Sequence, residues 1–235
     1  MKNKKIKHWT TKSLVLYGKY LCDNNEYGYG LLCMQGAYWG LKISTQLGLK
    51  WKDFINSDGT SKKMLEIRGD ALKRPIYTTL QKLNLIVYRE HGCPPLNEYV
   101  YVLKRSKKVI DTSNLNKDLQ RHAKRFEEFL YGNYKIKIDW VPIKSNAFQI
   151  AWALDMVKVN SYSKASFKIV GKILGQPTIS KTAQLLGVSP KDDVIIRFDL
   201  LDFEIKNDFE KVFYKERVAY PDFSINIEFA DILKD

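Results

Sequence analysis

Residues 173–188, ILGQPTISKTAQLLGV, have the outline of a reactive segment without reactive groups. A helix end at Leu174-Gly175 leads through a polar turn to Thr182, which opens a second apolar helix. Chemistry on a phosphate would ask for an imidazole near such a turn and a nucleophilic hydroxyl on the helix beyond it. The chain supplies Gln176 and Leu185 instead.

Other reactive constellations are no better supported. His8, His91 and His122 are scattered, and His91-Gly92-Cys93 beside two prolines offers at most two ligands, short of a closed zinc site. The sequence has no phosphate-cradling G-x-x-x-x-G-K-[ST], and Gly28 and Gly30 lie inside an aromatic helical stretch, away from any strand-to-helix turn. No cofactor or metal is expected. The run Asp192-Asp193, Asp199, Asp202 and Glu204 is interleaved with Val194, Ile195, Ile196, Phe198, Leu200, Leu201 and Phe203, the pattern of a strand or docking segment with a solvated face rather than of a metal or carboxylate site. Cys22, Cys33 and Cys93 are odd in number and irregularly spaced, which suits reduced thiols used in packing.

Charge says more. The 235 residues carry 39 Lys/Arg against 26 Asp/Glu, a net of +13. Residues 191–235 hold 7 and 12 of these, a net of −5, which leaves 32 against 14, a net of +18, in residues 1–190. A body this basic attracts polyanions through release of condensed counterions, so nucleic acid is the leading partner. No apolar run is long enough for a membrane span, and MKNKKIKHWTTK has lysines without the apolar stretch of a signal peptide, so the expected setting is the cytoplasm with no membrane contact.

The elements that must position these residues are mostly helical. Residues 1–12 carry five Lys and no acidic residue and read as a flexible basic arm. SLVLYGKYLCDNN from Ser13 and YGYGLLCMQGAYWG read as two helices, the second buried, with a turn at Gly40. Leu41, Ile43, Leu47, Leu49, Trp51 and Phe54 face inward after it. Short strands are expected at 64–68 and 74–78 around Gly69-Asp70, followed by a helix with Leu80, Leu83 and Val87 at helical spacing. EYVYVLKRSKKVI is strand-like with a basic turn. The next helix has Thr112 or Ser113 as cap and buries Leu115, Leu119, Phe126 and Leu130. Three more helices are expected at SNAFQIAWALDMVKVN, SKASFKIVGKIL and TISKTAQLLGV.

In order and spacing, GLKISTQLGLKWKDF, KRPIYTTL, NLNKDLQRHAKRF and KILGQPTISKTAQLLGV resemble the catalytic domain of the tyrosine recombinase (phage integrase) family over roughly residues 13–188. The resemblance implies an α+β, mainly helical core domain over 13–190, with a small antiparallel sheet and an acidic C-terminal extension over 191–235. In that family two Arg grip the scissile phosphate, a hairpin Lys protonates the leaving oxygen, His residues complete the cradle and a Tyr attacks. Carried over, the first Arg is Lys42, the H-x-x-R pair is Asn146 and Gln149, the second His is Gln176, and the nucleophile position is Leu185. The hairpin position falls on Asp70 or Ala71, with Arg68 and Lys73 adjoining. Lysine keeps charge but not the planar fork, and leucine cannot attack phosphorus.

The resemblance therefore implies a DNA-binding protein that does not cut, an accessory or regulator at a mobile-element, phage or plasmid site. The expected contacts are Lys42, Lys50, Lys52, Arg68, Lys73, Arg74, Lys117, Arg121, Lys124, Lys144, Asn146, Gln149 and Gln176. The amides can instead serve only the fold, and Leu185 can fill core. Residues 191–235 are expected to cover the chain's own body, a second copy of the chain or an active recombinase. Two rival readings are a protein scaffold that has abandoned DNA and an enzyme with relocated groups, its nucleophile drawn from tyrosines such as Tyr162, Tyr214 or Tyr220.

Overall fold

The computed structural model describes residues 4–6, 8–67, 74–76 and 78–191. Strand β1 (Lys4–Ile6) precedes helix α1 (Thr11–Asp23). Thr10 caps α1 reciprocally: its hydroxyl accepts from the Ser13 N–H, and the Ser13 hydroxyl accepts from the Thr10 N–H. Helix α2 (Tyr27–Trp39) is apolar on every side and buried from Gly28 to Trp39, as a helix without a polar face must be. It is the spine of the molecule, packed on α1.

Helix α3 (Ile43–Leu47) and a 3-10 turn at Trp51–Asp53 lead to β2 (Met64–Leu65) and β3 (Arg74–Pro75). These two strands pair antiparallel for two residues only, Met64 with Pro75 and Leu65 with Arg74. Helices α4 (Thr78–Glu90) and α5 (Thr112–Tyr134) follow. Leu80, Leu83 and Val87 of α4 and Leu115, Leu119, Phe126 and Leu130 of α5 are all buried, as their spacing predicts. Strand β4 (Ile138–Trp140) then pairs in parallel with β1. Helices α6 (Ala147–Val159), α7 (Lys164–Ile173) and α8 (Ile179–Leu186) complete the described chain. Gly171 of α7 sits against Thr182, which is fully buried.

Several expectations need correction. The described part of the opening residues is not a free arm: β1 pairs with β4, Trp9 is buried with its indole N–H donating to the Val141 carbonyl at 2.9 Å, and α1 begins at Thr11. Trp9 is apolar enough to tie the lysine-rich stretch down. The cap of α5 is Asp111, whose carboxylate accepts from the Ser113 N–H. Thr178, not Thr182, opens α8, its hydroxyl accepting from the Lys181 N–H. Cys22 and Cys33 are buried, as packing residues are, but Cys93 is exposed. The expectations for Arg68, Asp70, Ala71 and Lys73, and for everything after Lys191, lie outside the described residues. Among the described residues no helix is long and apolar enough to cross a membrane.

Candidate nucleic-acid interface

The C-terminal end of α2 is where distant parts of the sequence meet. A helix end leaves carbonyls without intrahelical partners. Here the Trp39 carbonyl accepts from Arg74 Nε at 3.1 Å and the adjacent Gly40 carbonyl accepts from Gln149 Nε2 at 3.3 Å. Gly40 itself takes the left-handed conformation at φ +60, its N–H on the Gly36 carbonyl. A Cβ on Gly40 would lie 2.3 Å from the Trp152 ring, so the residue must be glycine for α6 to come this close. Two residues on, Lys42 is exposed at the start of α3. The hairpin arginine, the second member of the N-x-x-Q pair and the lysine in the GLK segment are thus gathered within a few residues of one helix end. An arginine and an amide donating to the negative end of a helix dipole are favourably placed.

One turn earlier on α6, Asn146 is exposed and stands at the N-cap position, yet its side chain makes no capping hydrogen bond. Its neighbour Lys144 is exposed, and a cavity of about 140 Å³ beside them is lined also by His8, Trp9 and Val141. His8 Nε2 lies 3.3 Å from where a Cβ on Gly187 would stand, which brings the end of α8 to the start of α6. His8 was not foreseen, because a histidine inside a lysine-rich stretch carries no periodic signal. Ser145 donates its N–H to Asn116 Oδ1 on α5 at 2.7 Å, and Gln120 of α5 reaches the Ile143 carbonyl at 3.4 Å. Lys117 and Lys124 on α5 are exposed, and so is Arg121, which pairs with Asp118 at 2.9 Å.

The remaining expected contacts are elsewhere. Trp51 is fully buried against Tyr88 and His91, so it offers no aromatic face between Lys50 and Lys52. Lys50 lies over the Tyr99 ring at 5.0 Å, and Lys52 is exposed. Gln176, half-buried at the turn after α7, is held by its N–H on the Gly171 carbonyl at 2.7 Å. Leu185 on α8 is half-buried. Of the amides singled out, Gln149 serves the fold directly through Gly40, whereas Asn146 is neither capping nor buried.

Burial sets the electrostatics behind this surface. His122, packed against Tyr29, is held neutral with its pKa lowered to about 4, chiefly by desolvation and then by Arg121 and Arg125. His91 is lowered to about 4 by burial and by Lys107. The side chains that meet at Trp39 and Gly40 are hydrogen-bond donors and cations. An arrangement of that kind can hold and orient an anionic backbone. Among the described residues no group of three or more His, Cys, Asp or Glu could hold a metal ion.

The protein comparisons come down to one likeness. No family model matches, and no curated protein does. Among solved structures, the chain is similar to the crystal structure of XerA recombinase, with a TM-score of 0.49 and 14% identity over 88% of this chain. The match spans 65% of that chain, so this one covers just under two thirds of its length.

Proposed function

We propose that the chain binds double-stranded DNA without cutting it, as an accessory or regulatory protein at a mobile-element, phage or plasmid site. The observation that carries this reading is the meeting of Arg74 and Gln149 on the adjacent carbonyls of Trp39 and Gly40, beside exposed Lys42. Lys42 and Gln149, two positions that the family resemblance assigns to the phosphate grip, stand at one helix end with Arg74 beside them. Exposed Lys42 can donate to a phosphate oxygen there, with Arg74 and Gln149 fixing the helix end beside it, while the positions that pattern gives to a histidine and a tyrosine hold Gln176 and Leu185. The surplus of cations over carboxylates in residues 1–190 supplies the long-range attraction.

The test has two arms. Binding to a 20-base-pair duplex of random sequence should weaken steeply with salt, the logarithm of affinity falling by about 0.9 per phosphate neutralised for each tenfold rise in salt. Lys42→Ala should weaken binding roughly equally on every sequence, as loss of a backbone contact does. Incubation with nicked duplexes should yield no covalent protein–DNA adduct. A chain that binds duplex weakly at every salt concentration would favour a protein scaffold, and an adduct would show an enzyme with relocated groups.

A further inference from the structure

A second cationic feature lies at the other end of α2. A groove of about 360 Å³ is lined there by Glu26 and Tyr29, by Leu103, Lys104, Arg105 and Ser106, and by Asp118, Arg121 and His122. It is assembled from three separate parts of the chain. The basic loop is brought against α2 because Gly28 has no side chain: a Cβ there would lie 2.2 Å from the Val102 carbonyl oxygen. The loop is held by its own backbone, with Leu103 N–H on the Lys108 carbonyl at 2.8 Å and Lys107 N–H on the Leu103 carbonyl at 3.0 Å. Lys104 and Arg105 are therefore displayed, exposed, on a fixed turn.

The charges in the groove do not cancel. Asp118 is committed within the protein, accepting from the Tyr29 hydroxyl at 2.8 Å and pairing with Arg121 at 2.9 Å. More than half of the Arg121 side chain nonetheless remains exposed. The lip thus carries Lys104, Arg105 and Arg121 against one engaged carboxylate and Glu26. The floor is rigid, since His122 and Tyr29 are buried and packed together.

We propose that this groove is a second nucleic-acid contact, taking a phosphodiester backbone segment on Lys104, Arg105 and Arg121. The inference rests on the duplex-binding reading above and adds a second grip to it. Helix α2 has 13 residues, so its two ends are about 20 Å apart. That is shorter than the ~34 Å of one duplex turn, so one duplex can reach both. Exposed Lys117 is next to Asp118 of the groove on α5, and Asn116 before it accepts from the Ser145 N–H just ahead of α6.

The test compares two full-length variants with the same loss of charge. Lys104→Gln with Arg105→Gln removes the loop cations, and Lys168→Gln with Lys172→Gln removes two exposed cations of α7. Arg121 is left intact, because its removal would strip Asp118 of its partner. On a 20-base-pair duplex the loop variant should bind about tenfold more weakly and lose about 2 units of salt slope, while the α7 variant changes less than twofold. Circular dichroism should show both variants folded. Equal effects of the two variants, or no effect of the loop pair, would overturn the second grip and leave duplex binding through the Gly40 end intact. Failure of the unaltered chain to bind duplex with any salt dependence would overturn both.

Discussion

At the scale of single residues, Gly40 decides the site. Its carbonyl receives Gln149, its left-handed φ turns the chain toward Lys42, and its missing side chain admits Trp152. Gly40→Ala should therefore lower unfolding free energy by about 2–3 kcal/mol, read from urea denaturation, because it combines backbone strain with overpacking. His122 gives a second residue-scale prediction. Its pKa falls from 6.5 to about 4 on folding, so the unfolded chain takes up the proton first. The stabilisation from keeping it neutral is complete above pH 6.5 and is lost as pH falls toward 4, by up to about 3 kcal/mol. His122→Asn should flatten the pH dependence of the urea midpoint in that window. If the variant's slope between pH 4 and 6.5 matches that of the unaltered chain, the buried neutral imidazole is not its source.

Elements show how the ends of the sequence are tied in. The β1–β4 pairing, the buried Trp9 and the Thr11 hydroxyl on the Asp155 carboxylate bind the opening residues to β4, to the residues after it and to α6. Trp9→Ala should cost about 3–5 kcal/mol, as removal of a buried tryptophan does, and should raise hydrogen exchange first in α1 and α6. A change of under 1 kcal/mol would mean that Trp9 is not what holds the segment. Helix α5 is the other organising element. Its apolar stripe builds core, while Asn116 and Gln120 on its first turns hold residues 143–145 and so set the start of α6.

For the whole molecule the governing quantity is the division of charge, +18 in residues 1–190 against −5 in residues 191–235. If the acidic extension lies against the basic body, it competes with DNA. Replacing Asp192, Asp193, Asp199 and Asp202 with Asn in the full chain should then tighten duplex binding several-fold at low salt, with the difference fading as the screening length shortens. Fluorescence anisotropy at two salt concentrations reads this directly. Unchanged affinity at low salt would show that these carboxylates do not face the proposed DNA-binding surface.

The local pattern of the chain was enough to place its longer helices and their buried faces, though not the five-residue α3. Residues 28–39, apolar on all sides but for Gln35, offer no face to solvent, and Leu115, Leu119, Phe126 and Leu130 share one helical face, as a 3.6-residue period requires. Caps were less legible: Asp111 and Thr178 stand beside other residues able to cap, and the choice rests on backbone angles at helix ends. The tie at Trp9, the place of His8 beside Gly187, and the shared groove of Lys104, Arg105 and Arg121 were not legible at all. Each joins residues far apart in the chain, and the groove exists only because the Val102 backbone can approach α2 at Gly28. Periodicity fixes which way a side chain faces on its own helix; only packing fixes what it faces.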